Sequence, residues 1–328
     1  MSSVLVTGGA GYIGSHACKL LAEEGFTPIV VDNLSTGFSW ASKWGVLEEC
    51  DIRDREKLSD IFARHKPDAV MHFAAHAYVG ESVEQPDKYY SNNVGGMMTL
   101  LEVMRQHQVD VLVFSSSCVT YGEPQEIPID ENHPQKPVNP YGVTKYLAER
   151  MMADYGTAYG LRFVALRYFN AAGADPEAKI GESHNPETHL IPLVLDAASG
   201  RRESISIFGT DYETRDGTCV RDYIHVSDLA GAHLLALEHL LAGRESQFLN
   251  LGNGNGFSVR EVISVCEEVT GMTVDVKEAS RRAGDPPELI SDSRLARKVL
   301  GWHPKRADLR VQIEDAWRWH QKFATDTE

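Results

Sequence analysis

The chain has no apolar run approaching the roughly 20 residues that a membrane-spanning helix needs, no internal repeat and no low-complexity tract. Its start, Met1-Ser2-Ser3, lacks a basic region and passes straight into Val4-Leu5-Val6, so no secretory signal is expected. Cysteine is scarce. Cys18, Cys50, Cys118, Cys219 and Cys266 are odd in number and nowhere in Cys-x-x-Cys spacing. That argues against a disulfide framework and against zinc, so the thiols read as small buried side chains in a reducing cytoplasm, and no metal is expected. Basic charge is short as well. Lys and Arg number 32 against 47 Asp and Glu, a formal net charge of −15, which disfavours nucleic acid and anionic lipid as partners.

What is present suits a sizeable core: 328 residues, 42% of them hydrophobic, a length that points to about two domains. The first half alternates short apolar strands with amphipathic helices. Val4–Thr7, Pro28–Asp32, Asp68–Phe73, Val111–Phe114 and Phe163–Leu166 read as strands, and Ser15–Glu24 and Tyr141–Tyr159 as helices. Nearly continuous apolar strands with helices between them predict a doubly wound parallel α/β (Rossmann) sheet covered on both faces. After Asn170 the loops lengthen, predicting a dinucleotide-binding domain over 1–170. A smaller α/β substrate domain then covers 171–328, with segments interleaved with the first. The tail Asp308–Phe323, with Trp317 and Trp319, reads as a closing helix whose tryptophans pack.

The first turn reads Thr7-Gly8-Gly9-Ala10-Gly11-Tyr12-Ile13-Gly14. Gly8 permits the tight turn, Gly11 lets backbone approach a pyrophosphate, and Gly14 lets helix and strand pack closely. The following helix N-terminus offers free N–H groups and partial positive charge to phosphates. Asp32 ends the next strand, 18 residues beyond Gly14, where an acid binds ribose hydroxyls. No Arg or Lys occurs in Asn33-Leu34-Ser35-Thr36-Gly37 to meet a 2′-phosphate. The expected cofactor is NAD rather than NADP.

The strand Val111–Phe114 runs into Ser115-Ser116-Ser117, at the strand end that faces the ligand crevice in such sheets. Further on lies Asn139-Pro140-Tyr141-Gly142-Val143-Thr144-Lys145. On a helix, Lys145 falls one turn after Tyr141 on the same face. A phenol is too weak a base at neutral pH unaided; a neighbouring ammonium and a positively charged nicotinamide would lower its pKa. Ser117 would hold the substrate oxygen.

With these features in place, the chain resembles the extended short-chain dehydrogenase/reductases, and among them the UDP-glucose 4-epimerase family. The likeness spans the whole chain and is carried by the glycine turn through His16, His72-Phe73-Ala74-Ala75, Val79-Gly80-Glu81-Ser82, Leu166-Arg167-Tyr168-Phe169-Asn170 and Asp216–Val226. It implies that Tyr141 is the base, Lys145 its pKa partner and ribose ligand, and Ser117 a ligand of the sugar C4 oxygen. It also implies that Tyr12, Ile13, Asp32, Asn33, Asp51, Ile52, Phe73, Asn92 and Phe169 line the NAD site, together with Ser35, Thr36, Gly37, Ala74 and Ala75. On the substrate side it implies Asn170, Arg221, Arg282 and Asp285 gripping a UDP-sugar, with Phe208 near the uracil and His189, Leu190 and Leu289 nearby. Guanidinium forks suit a diphosphate. The implied reaction interconverts UDP-glucose and UDP-galactose at C4, with tightly bound NAD.

Several positions depart from the family pattern. Ala77 stands where a lysine is common, Cys118-Val119-Thr120 follow Ser117 where Thr-Val-Tyr is common, and His189 takes a place often held by asparagine. Leu289 replaces the residue that gates the sugar's C2 substituent. Ala77, Tyr78 and Cys118 also resemble 4-epimerases of UDP-xylose and UDP-arabinose, and mixed specificity with N-acetyl sugars stays open. A dehydratase or decarboxylase would place an acid just after the strand-end serine, where Cys118 and Val119 stand. A net dehydrogenase would release reduced cofactor, and a non-catalytic sensor would lack Tyr141 and Lys145. Apolar stripes over Pro86–Gln108 and Tyr141–Tyr159 point to a homodimer.

Overall fold

A computed structural model describes residues 2–282 and 284–326. Seven strands form one parallel sheet in the order Gln247–Leu251, Arg162–Tyr168, Val111–Ser117, Ala69–His72, Ser3–Thr7, Thr27–Asp32, Val46–Glu49. The sheet is the doubly wound one expected, and its alternation explains how it is covered. Val4, Val6, Val30, Met71, Val113, Val164 and Leu249 point to one face, where the helices Tyr12–Glu23 and Val226–Leu241 pack through Ala17, Leu21, Ala232 and Leu237. Leu5, Ile29, Val31, Val70, Leu112, Phe114 and Phe163 point to the other. There they meet Leu58 and Phe62 of Arg55–His65, Leu101 and Met104 of Gly96–Gln106, and Met152 of Pro140–Tyr159. Period-two strands thus feed two separate apolar layers. Of these seven strands, the edge strand Val46–Glu49 alone lacks a buried residue.

The strands extend beyond their apolar runs. Val111–Ser117 stays buried through its three serines, because those hydroxyls find partners described below. The first helix begins at Tyr12, three residues earlier than the apolar periodicity suggests, since the glycine turn leads into it directly. Between Pro86 and Gln106 the helical stretch passes through a π-helical turn at Tyr90–Gly95, which buries Asn92 and Asn93.

Residues after 170 build a second body. Val220–His225 pairs with Asn170–Ala172, Gly256–Ser258 and Glu288–Leu289, while Ile205–Phe208 pairs with Val276–Ala279. The helices Leu190–Ala198, Val259–Thr270 and Leu309–Asp326 close a core of Ile191, Val194, Ile207, Tyr223, Val262 and Ile313. A reciprocal cap between Ser258 and Glu261 starts the second of these helices. The helix Val226–Leu241 and strand Gln247–Leu251 return to the large sheet, so sequence on both sides of residue 170 builds it. Trp317 packs into the second core and Trp319 onto Trp40, Ala174 and Phe323, as expected for packing tryptophans. All five cysteines are buried and free. Among the described residues no helix is long and apolar enough to cross a membrane.

Candidate active site

The strand order reverses beside Ser3–Thr7, so the carboxyl ends of the central strands open a crevice there. The glycine turn forms one wall. Gly8 has φ +70°, and a Cβ on it would lie 2.6 Å from the Ala74 nitrogen. A Cβ on Gly14 would lie 2.2 Å from the Gly8 carbonyl oxygen, and one on Gly37 about 3.0 Å from Ala10. The backbone therefore closes on itself where a side chain would block both the turn and a bound pyrophosphate. Asp32 is buried and accepts hydrogen bonds from the backbone N–H groups of Ala10 (3.0 Å) and Leu34 (2.9 Å). Burial raises its carboxyl above the ordinary value, while those two bonds oppose the rise. Each oxygen keeps a second lone pair for a ribose hydroxyl.

Around this wall, Asn33 donates to Asp51 (3.2 Å) and accepts from the Ser35 N–H (3.1 Å). Arg53 grips Asp51 and holds its carboxyl far below the usual range. Ser35 and Thr36 are exposed, Gly37 and Ile52 are buried, and Ile13 packs at the edge of the core. The Phe73 ring meets that of His233 at a tilt of 39° with centroids 4.7 Å apart, and Ala74 and Ala75 follow it half-buried. Asn92 is buried and donates to Asn93 (3.0 Å). Asp32 at the glycine turn, with no basic side chain in Asn33–Gly37, suits free ribose hydroxyls rather than a 2′-phosphate.

Asn139 caps the helix Pro140–Tyr159 by accepting from the Gly142 N–H at 2.8 Å, which places Tyr141 in its first turn. Lys145 is buried one turn on, its Nζ donating to the Ser115 carbonyl at 2.7 Å and lying 5.9 Å from the Tyr141 ring centroid. Burial lowers this ammonium to about 7, against the pull of Glu149. Burial raises the Tyr141 phenol far above its ordinary value, and the nearby Ser117 hydroxyl pulls the other way. The sequence reading has Lys145 and a positively charged nicotinamide lower the phenol together; among the protein's own groups, burial acts on it most strongly. Ser117 and Tyr141 are nevertheless brought together at the strand end. Thr120, whose place in the pattern was unusual, is buried and donates to the Ser117 carbonyl at 3.0 Å.

Several supporting residues were not foreseen. Glu149 sits between Arg167 (2.9 and 2.7 Å) and Ser116 (2.6 Å), and Arg167 also donates to the Tyr121 hydroxyl (2.9 Å), which donates to Asn250 (2.6 Å). Ser115 shares a hydrogen bond with Tyr168 at 2.5 Å, and Asn93 donates to Thr144 at 3.0 Å. The available signal was charge out of place: Arg167 interrupts an apolar strand, and Glu149 lies on the buried face of its helix.

On the opposite wall the arginines do not stand free. Arg221 pairs with Asp285 and donates to the Val220 carbonyl at 2.8 Å. Arg282 lies 3.9 Å over the Phe208 ring. Phe169 and Leu289 pack with Cys118, Tyr121 and Ile129, joining the second body to the strand end beside Ser117. Asn170 is half-buried in register with Tyr223. His189 caps the helix beginning at Leu190, yet its side chain turns to Glu182 rather than toward the arginines. It belongs to a group with Glu182, His184 and Glu187. Carboxylate contacts raise His184 to about 10 and raise His189, while the two imidazoles lower Glu182 to about 2.

Comparison with known proteins agrees with this geometry. The model of the NAD dependent epimerase/dehydratase family matches residues 4–252. UDP-glucose 4-epimerase of Rhizobium meliloti is 55% identical over 321 residues, 98% of each chain. The crystal structure of UDP-glucose 4-epimerase from Brucella ovis in complex with NAD is 53% identical, superposes with a TM-score of 0.95, and covers 97% of this chain and 98% of that one. The UDP-glucose-4-epimerase of Stenotrophomonas maltophila, solved with bound NAD and formylated UDP-arabinopyranose, is 40% identical with a TM-score of 0.96, covering 99% of this chain and all of that one. The chain belongs to the NAD dependent epimerase/dehydratase family, among the extended short-chain dehydrogenase/reductases and within them to the UDP-glucose 4-epimerases.

Proposed function

We propose that this chain is an NAD-dependent isomerase that interconverts UDP-glucose and UDP-galactose by inverting C4 through a transient 4-keto sugar. The observation that carries the reading is the meeting of Ser117, Tyr141 and Lys145 at one strand end beside the glycine cradle. Ser117 holds the C4 oxygen. Tyr141 takes the C4 hydroxyl proton and returns it after the keto sugar has presented its other face. Lys145 binds a ribose hydroxyl and fixes the strand end through Ser115. When bound, NAD supplies the hydride acceptor and donor, and in oxidised form a positive charge that opposes the effect of burial on Tyr141. Arg221 and Arg282 grip the diphosphate, with Asn170, Asp285, Phe208, Leu190 and Leu289 shaping the pocket.

Purified protein incubated with UDP-galactose, without added NAD, is expected to form UDP-glucose. No conversion, with added NAD restoring none, would overturn the reading. Tyr141→Phe is expected to keep NAD while turnover drops about 10²–10⁴-fold; unchanged turnover would remove Tyr141 from the mechanism.

A second reading, 4-epimerisation of UDP-xylose and UDP-arabinose, is supported by Cys118 and Leu289 packing in one apolar cluster beside Ser117 and by the pentose nucleotide bound to the Stenotrophomonas relative. Parallel incubations with UDP-xylose and UDP-N-acetylglucosamine separate the substrate ranges. A homodimer is supported by the apolar Val79, Val83, Tyr90, Met98, Tyr146 and Tyr159, all exposed along 79–98 and the helix Pro140–Tyr159. Sedimentation as a monomer at micromolar concentration would overturn that. Five unpaired buried thiols support a cytoplasmic location.

A further inference from the structure

The loop between the strand Asn170–Ala172 and the helix Leu190–Ala198 gathers Glu182, His184, Glu187 and His189, with one ligand atom from each lying within 4.8 Å of all the others. Two imidazole nitrogens and two carboxylate oxygens form a mixed donor set of the kind that binds zinc and neighbouring first-row divalent ions. The spacing is informative. An ion bonded tetrahedrally at about 2.0–2.1 Å holds its ligands about 3.3–3.4 Å apart. His184 Nδ1 lies 3.3 Å from Glu182 Oε1 and 3.4 Å from Glu187 Oε2, the spacing of ligands on such an ion, while His189 Nδ1 is hydrogen-bonded to Glu182 Oε1 and would exchange that bond for the ion.

A second observation comes from His184 itself. Its Nδ1 is fully buried with no hydrogen-bond partner, although two carboxylate oxygens converge on it. An imidazole ion-paired with two carboxylates but aligned for a hydrogen bond with neither points between them, toward a common centre. Glu187 is held from behind, where its Oε1 accepts from the backbone N–H groups of Thr188 (2.7 Å) and His189 (2.9 Å). That leaves Oε2 free for the centre. The Tyr12 and Tyr78 rings meet His184 edge-on at 6.3 and 6.2 Å, and Trp319 donates to the Glu182 carbonyl at 2.9 Å. These contacts limit how far the ligands can drift, as outer partners do at metal sites.

We propose that Glu182, His184, Glu187 and His189 form a structural site for one divalent transition-metal ion of zinc type, pinning the 173–189 loop between the glycine-turn helix and the start of the helix at Leu190. The proposal is independent of the reaction assigned above. Four protein ligands leave no open position, so the ion serves structure rather than chemistry.

The test uses the full untagged chain, stripped with a chelator and dialysed. Titration with zinc is expected to give one equivalent per chain, bound more tightly than about 1 μM, with a rise in melting temperature. Cobalt in place of zinc is expected to show the intense visible bands of four-coordinate Co²⁺. His184→Ala is expected to weaken zinc binding at least about 10-fold. Glu182→Gln, which keeps size and shape should His184→Ala fail to fold, is expected to abolish the zinc-dependent rise in melting temperature. Absence of stoichiometric zinc in the wild-type chain, weak six-coordinate cobalt bands, or equal uptake by folded Glu182→Gln would each overturn the proposal.

Discussion

Around the glycine turn, position is set by backbone: Gly8 and Gly14 lie so close to Ala74 and Gly8 that no side chain fits, and Asp32 is held by two N–H groups. At the arginine wall, position is set by side chains holding one another, Arg221 on Asp285, Arg282 over Phe208 and His189 on Glu182. Histidine marks the same contrast. His16, His72 and His233, packed against the large sheet, are stripped of water and lowered to about 4, 3 and 4. His184 and His189, in the loop of the second body, face carboxylates and are raised. The cofactor half is thus a dry, preformed backbone mould. The second body is instead held by side chains, in ion pairs and a cation–ring contact.

The largest effect expected from this contrast is with acid. Unfolded, His16, His72 and His233 take up protons below about 6.5; folded, they stay neutral to about 4 or lower. The folded state binds fewer protons across that window, so stability is present above pH 6.5 and is lost as pH falls through it. The slope reaches about 1.4 kcal/mol per pH unit for each histidine. Urea unfolding followed by tryptophan fluorescence at pH 7, 6 and 5 measures it. A flat profile would break the picture of a dry cofactor half.

Next comes Gly14→Ala. Its new Cβ would press at 2.2 Å on a backbone oxygen that cannot rotate away. A loss of about 3 kcal/mol is expected, with most of the bound NAD lost as well. Released nucleotide quantified after denaturation measures this, and wild-type NAD content in the variant would contradict the cradle.

How much of this could be read from the sequence follows the same divide. The glycine turn, Asp32, the strand-end serines and the Tyr141–Lys145 spacing were legible because each depends on local geometry, a φ, a strand end or one helical turn. Lys145's bond to Ser115 was not, because it depends on two elements meeting across 30 residues. Nor was the Glu149–Arg167–Tyr121–Asn250 network, whose members span 129 positions. The Arg221–Asp285 pairing was hidden in the same way, since long-range ion pairs leave no periodic trace. The expectation that no metal binds rested on cysteine spacing, and the proposed site of two histidines and two glutamates lies outside that argument.

Arg221→Met sharpens the contrast from the substrate side. It removes a charge-assisted fork worth about 1.5–3 kcal/mol, so KM for the UDP-sugar is expected to rise about 10–100-fold. Bound NAD should be unchanged, because the cradle takes no part of its shape from this residue. Steady-state kinetics with parallel nucleotide quantification checks both halves. Loss of NAD in this variant would mean that the two walls are coupled.

The smallest effect repeats the glycine substitution where the mould is absent. Gly231 lies inside the helix Val226–Leu241, and a Cβ there would meet nothing within 4 Å. Its backbone is not left-handed, so alanine costs no strain and restricts the unfolded chain. Gly231→Ala is expected to stabilise by about 0.5–1 kcal/mol, a rise of about 1–3 °C in melting temperature. The same atom added at Gly14 and at Gly231 should then move stability in opposite directions. If both variants lose stability alike, the cost at Gly14 reflects a general intolerance of this sheet's helices, not the close approach of Gly8.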